Sequence, residues 1–142
     1  MPLISLVYVS LESRSMPETE LRAILAVSRK NNQKLGVTGM LLYRDGFFIQ
    51  ALEGEESVVD DLYSRIRRDP RHYNIITVYK NQIEKRVFEN WSMGFNRLDG
   101  MKPEDLPAFS DFLSEPADEV LFAGNPNRTR ALLETFRDQT YF

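Results

Sequence analysis

Apolar and polar positions change their period several times along the chain, and each change marks an element. Residues 3–9, LISLVYV, are almost uninterrupted hydrocarbon, the pattern of a strand covered on both faces. After the polar stretch SLESRS, apolar residues return at helical spacing at Leu21, Ile24 and Leu25, with Ser28 next in line. Ser15 as N-cap with Glu18 three residues on reads as a capping box, and Pro17 is tolerated in a first turn. This helix is expected to reach about Asn32 and to stop before Gly36. VTGMLLY (37–43) is a second strand, RDG (44–46) a hairpin turn, and FFIQAL a third strand from Phe47. A second helix is expected from near Glu55 to Asp69 at the latest, because Pro70 disfavours helical geometry in the residue before it. ITVYK (76–80) and WSMGF (91–95) complete the strands.

That order predicts an α+β fold: a ferredoxin-like β-α-β-β-α-β(-β) sheet with two helices on one face. From Asp99 the pattern shifts, and Pro103, Pro107, Pro116 and Pro126 punctuate short helical stretches. Asn125-Pro126 reads as N-cap and first position of a last helix, with Leu132, Leu133 and Phe136 on one side. Residues 1–98 are therefore expected to form the main domain. Residues 99–142 are expected to be a helical extension packed on the other sheet face, offering an output surface.

Polar residues interrupt these stripes at particular places. Gln50 sits among Phe47, Phe48, Ile49, Ala51 and Leu52, where an amide without partners costs about 1–3 kcal/mol. Strand alternation puts Leu6, Tyr8 and Ser10 on one face and Phe48, Gln50 and Leu52 on one face. The two strands neighbour each other in a ferredoxin-like sheet, so phenol and amide are expected to meet. The first helix's stripe continues from Ser28 to Asn31 and Asn32; that of the second runs Val58, Leu62, Ile66 and leads to Arg65 and Asp69. Two helices that both turn polar at one end leave a slot walled by Ile24, Leu25, Leu62 and Ile66, suited to a flat heterocycle with a polar edge. Each residue has an ordinary alternative. The asparagines serve as helix caps, Arg65–Asp69 is a surface pair contributing under about 1 kcal/mol, and Tyr8 and Gln50 satisfy each other.

Composition narrows the chemistry. With 142 residues, 42% hydrophobic and 27% charged, the chain has the balance of an ordinary soluble domain. A net charge of −3 argues against a dedicated nucleic-acid binder, and no apolar run approaches the ~18 residues of a membrane span. Without cysteine there is no thiolate chemistry or cysteine metal site, and one histidine cannot build a histidine cluster. A cytoplasmic protein is expected.

Taken in order, Tyr8, SRKNN (28–32), GVTGMLLY (36–43), FFIQALEGE (47–55), Arg65, DPRH (69–72) and F-x-x-WSMGF (88–95) resemble the BLUF domain, a family of flavin-binding blue-light sensors. The resemblance covers about residues 3–97. It implies a non-covalent flavin between the helices, FAD first, with FMN and riboflavin open. Asn32, assisted by Asn31, is then expected at the polar edge of the ring. Arg65, Asp69, Arg71 and His72 are expected near ring or ribityl-phosphate groups, although His72 also fits an exposed loop. Gln50 is expected to bridge flavin and Tyr8, with Trp91 and Met93 flanking it. Tyr8 would donate an electron and a proton, and Gln50 would rotate or tautomerise, giving a reversible red shift.

The resemblance also implies a non-enzymatic photoreceptor read out by a downstream protein partner or by self-association as a homo-oligomer. Two alternatives are kept. A small acyl-phosphate hydrolase on this fold needs a glycine-bearing anion cradle after the first strand, and SLESRSM has no glycine. A pigment-free interaction module is the other.

Overall fold

Five strands and two helices follow one another as β1 (Leu3–Glu12), α1 (Glu18–Leu35), β2 (Thr38–Arg44), β3 (Phe47–Glu55), α2 (Glu56–Arg67), β4 (His72–Gln82) and β5 (Gly94–Arg97). The computed structural model describes residues 2–44, 46–88 and 93–97. The strands form one sheet in the order β4-β1-β3-β2-β5, antiparallel throughout except for β5, which runs parallel to β2. This is the ferredoxin-like arrangement with one strand added. The expected extension over 99–142, with its last helix, lies outside the described residues, as does Trp91.

The alternating strands sort the core into two layers. On the helical face, Ile4, Leu6, Tyr8, Leu41, Phe48 and Leu52 pack with Leu21 and Leu25 of α1 and Val59 and Tyr63 of α2. On the other face, Val7, Val9, Met40, Leu42, Phe47, Ile49 and Ala51 pack with Phe88. Each fully buried Leu or Ile contributes about 1.5–3 kcal/mol, so the central strands carry most of the hydrophobic stabilisation.

The expected capping box at Ser15 does not form. Pro17 is the N-cap, in extended geometry, and there is no side-chain cap bond. The reason is local: Met16 precedes a proline, is held out of helical geometry, and sends its side chain into the core instead. The Pro17 carbonyl accepts the Glu20 and Leu21 N–H groups, and Glu18 and Glu20 suit the positive helix start. At the far end Gly36 takes a left-handed φ of 71° and donates to Asn32 O, closing the helix three residues later than expected.

In α2 the fully buried positions are Val59 and Tyr63, and the expected stripe of Val58, Leu62 and Ile66 is only partly buried. Tyr63 reaches across to β4, its hydroxyl 2.8 Å from Thr77 Oγ1. β4 is longer than the expected 76–80: its first residues, HYN, carry no apolar alternation, yet His72 and Tyr73 pair with Glu12 and Leu11 of β1, beyond a register shift. β5 begins at Gly94, so Met93 lies just before the strand and not inside it.

One buried charge organises the connection from β4 to β5. Glu53 on β3 has no exposed surface, and its carboxylate accepts N–H bonds from Val87 (2.9 Å) and Phe88 (2.7 Å). Burial pushes its pKa up; the two backbone bonds and nearby Arg86 oppose that. Arg86 itself donates to Thr38 Oγ1, Glu53 O and Gly36 O, tying the connection to β2, β3 and the end of α1. Glu53→Gln replaces one acceptor oxygen by an NH2 facing a backbone donor, and is expected to lower the unfolding free energy by about 2 kcal/mol, measured by urea denaturation.

Candidate flavin site

β1 and β3 bring Tyr8 and Gln50 directly opposite each other, and both are buried. The phenol donates to Gln50 Oε1, and Gln50 Nε2 donates to the Met93 thioether at 3.3 Å. Leu41 of β2 is the partner of Gln50 on its other side. The amide therefore lies in the middle of the sheet, with a strong donor on one end and a weak sulfur acceptor on the other. Burial first, then Tyr63 and Asp69, push the Tyr8 phenol well above its ordinary range. It keeps its proton and acts as a donor. The Tyr63 ring packs on it with centroids 5.2 Å apart.

Above this row a cavity of ≈ 160 Å³ opens between the helices. Leu21, Ile24 and Leu25 of α1 and Ile66 of α2 form its walls, and Tyr8, Leu41, Phe48 and Gln50 its sheet floor. Ser28, Asp69, Arg71 and His72 supply polar groups, and Met16 and Met93 complete the lining. Gly39 leaves room for Met93: a Cβ there would collide with the Ala51 carbonyl oxygen and stand 3.3 Å from Met93 Cε.

Of the residues expected at the site, Tyr8, Ile24, Leu25, Ser28, Gln50, Ile66, Asp69, Arg71, His72 and Met93 come together around this cavity. Four do not line it. Asn31 is exposed on α1; Asn32 is buried at the end of the helix, where its carbonyl also accepts the Val37 N–H. Leu62 is packed at the core margin. Arg65 is exposed and pairs with Asp61 at 3.3 Å, one turn back, so the suggested Arg65–Asp69 pair is absent among the described contacts. Asp69 is instead taken by Arg71, which binds it through its backbone N–H and its guanidinium. Past the end of α2, the turn at Pro70 carries Arg71 back over the carboxylate, a proximity that helical spacing does not describe.

His72 lines the cavity, but both ring nitrogens are engaged within the protein. Nε2 lies 2.7 Å from Ile66 O and so carries the proton, and Nδ1 lies 2.9 Å from the buried Ser10 hydroxyl. Met16, Leu21, Leu41 and Phe48 also line the cavity and were not among the expected site residues, although Leu21 lay in the α1 stripe and Phe48 on the face of Gln50. Leu41 shares the face of Val37 and Tyr43 by strand alternation; Met16, an isolated apolar residue before a proline, gave no periodic signal.

The fit to a flavin rests on this donor set. The amide in the floor spends its N–H on a thioether, a weak acceptor that a heterocyclic nitrogen or carbonyl would outmatch. The walls are largely apolar and a few polar side chains, Ser28, Asp69, Arg71 and His72, stand among them, as a planar ring with a polar edge requires. Residues 3–94 match the model of the family described as BLUF, sensors of blue-light using FAD. The photoactivated adenylate cyclase subunit beta of Euglena longa is 38% identical over 92 residues, 64% of this chain and 11% of that protein. The chain thus spans about a tenth of the length of that curated relative. Among solved structures, BlrB, a BLUF protein in its dark state, is 32% identical with a TM-score of 0.77, covering 96% of each chain. BlsA in its ground state gives a TM-score of 0.81 at 29% identity, covering 99% of this chain and 91% of that one. None of these matches favours an acyl-phosphate hydrolase.

The Asp69–Arg71 pair yields a pH prediction. The Arg71 hydrogen bond is the main cause that holds the Asp69 carboxyl below its ordinary range. A depressed carboxylate adds stability above its unfolded pKa, and that contribution is lost as pH falls through the folded value. In Arg71→Gln, the Asp69 midpoint should rise toward the ordinary ~3.9, followed by carboxyl carbon NMR, and stability should depend less on pH below about 4.

Proposed function

The chain belongs to the BLUF family of blue-light sensors, and on that premise we propose that it stores the absorption of a photon in the hydrogen bonds of Gln50. The observation that carries the reading is the buried row Tyr8–Gln50–Met93 beneath a cavity between two helices. The bound flavin, proposed to be FAD, supplies blue-light absorption and a reversible acceptor for one electron and one proton. Tyr8 is the residue placed to give up that electron and its phenolic proton and to recover both. Gln50 is the residue that differs afterwards, since its amide has a donor end and an acceptor end. In the present arrangement the oxygen faces Tyr8 and the NH2 faces sulfur. Rotation would turn the NH2 toward the phenol, whereas tautomerisation would turn the facing oxygen from an acceptor into an O–H donor, so the row can rest in two hydrogen-bonded states. Ile24, Leu25, Ser28 and Ile66 position the ring, with Asp69 and Arg71 at the rim.

The contributions proposed for Asn31, Asn32 and Arg65 rest on the family motif and that of Leu62 on helical spacing, because none of these four stands among the lining residues; Trp91, proposed from the same motif, lies outside the described residues. His72 is better read as a brace between Ser10 and the end of α2 than as a direct ligand. The output is proposed to be a light-altered protein contact made by residues 99–142 or by self-association as a homo-oligomer. No catalytic activity of the chain's own is proposed, and a cytoplasmic setting suits a cysteine-free sequence.

The test is an absorption spectrum of the purified protein before and after blue light. Wild type is expected to be yellow and to shift reversibly to the red. Gln50→Leu is expected to retain flavin and lose the shift. A Gln50→Leu protein that photocycles as wild type would overturn the reading. A colourless wild-type protein that takes up no added flavin would favour the pigment-free module.

A further inference from the structure

Met93 is held by two bonds of different strength. Its side chain receives the Gln50 amide at sulfur, while its backbone carbonyl accepts the Arg29 Nε–H of α1 at 2.8 Å. The first is a contact to a weak acceptor; the second comes from a group that is always charged and is of the stronger, charge-assisted kind. Arg29 is half-buried, and burial works against its charge, so this guanidinium is no ordinary solvated surface cation. It stands one residue from Ser28 but is not part of the cavity lining. Immediately after Met93, Gly94 begins β5 and pairs with Met40 of β2.

We propose that Arg29 is a positioning residue for the light readout, anchoring the Met93 backbone to α1 so that β5 and the α1 wall of the cavity respond to Gln50 together. The proposal rests on the reading of Gln50 and Met93 given above. When the Gln50 amide changes state, its contact with the thioether is the cheap bond to lose, and the Arg29 bond holds the chain. Sulfur can then move without the start of β5 coming loose. Any displacement that does reach the backbone is shared with α1, which supplies Leu21, Ile24, Leu25 and Ser28 to the cavity. Without the guanidinium, the contact of β5 that remains among the described residues is its pairing with β2 at the sheet edge.

The experiment is amide hydrogen exchange on the full chain, with and without flavin and in dark and light, for wild type, Arg29→Met, Arg29→Lys and a control at exposed Arg22. In flavin-free Arg29→Met, the amides of Gly94–Arg97 should exchange about tenfold faster than in wild type, with other strands unchanged. Arg29→Lys, whose ammonium still reaches a carbonyl, should recover part of that protection; Arg22→Met should behave as wild type. With flavin bound, Arg29→Met should keep the size of the red shift but lose the light-minus-dark exchange difference at β5. If Arg29→Met does not fold, Arg29→Gln is read in the same way. Unchanged β5 exchange in the flavin-free variant, or a β5 light response equal to wild type, would overturn the proposal. A wild-type protein that binds flavin without a light-driven shift would remove the reading of Gln50, while flavin-free exchange would still decide the Arg29 anchor.

Discussion

A phenol and a carboxamide facing each other in a hydrocarbon layer set the terms for the rest of this protein. Tyr8 and Gln50 are directly opposed on β1 and β3, and each is nearly closed to solvent. Their hydrogen bond gives Gln50 one satisfied end, and the low dielectric around it makes any loss costly. Strand register keeps them together: a slip of one residue would send the whole apolar set of either strand to the opposite face. The pair is therefore as firmly placed as the core itself, although neither residue is a core residue by chemistry.

The helices turn that pair into a site. Leu21 and Leu25 of α1 and Val59 and Tyr63 of α2 seal the helical layer, and the space left between them lies over the amide. The polar rim comes from the point where α2 ends. Asp69 and Arg71 lock onto each other, and His72 links the last turn of α2 to Ser10 of β1. These contacts hold the mouth of the cavity by bonds within the protein.

The chain leading into β5 is held from both faces of the sheet. On the helical side Arg29 grips the Met93 carbonyl; on the other side buried Glu53 grips the backbone of Val87 and Phe88, and Arg86 binds three groups around it. Gly39 provides the opening through which Met93 comes close to the central strands. A weak contact between an amide and a thioether sits inside this strong frame. That contrast lets one bond change while the frame persists.

Much of this was legible in the sequence. Period-two and helical patterns gave the element order and with it the ferredoxin-like sheet. Alternation together with the strand order of a ferredoxin-like sheet put Tyr8 and Gln50 on faces that meet, whereas of the polar residues at the ends of the two helical stripes only Ser28 and Asp69 reach the cavity. Those signals are local, repeating every two or 3.6 residues. Where one residue broke the period, the reading slipped: Met16 before Pro17 moved the start of α1, and HYN concealed the first turn of pairing in β4. Tertiary structure decided which stripe of α2 fills the core, that Arg71 and not Arg65 takes Asp69, and that Glu53 holds the chain before Met93 and Arg29 holds it at Met93. The last two join residues 34 to 64 positions apart. Their partners are backbone groups, which every residue carries alike, so only the strand order and the path of the connecting loop could select them.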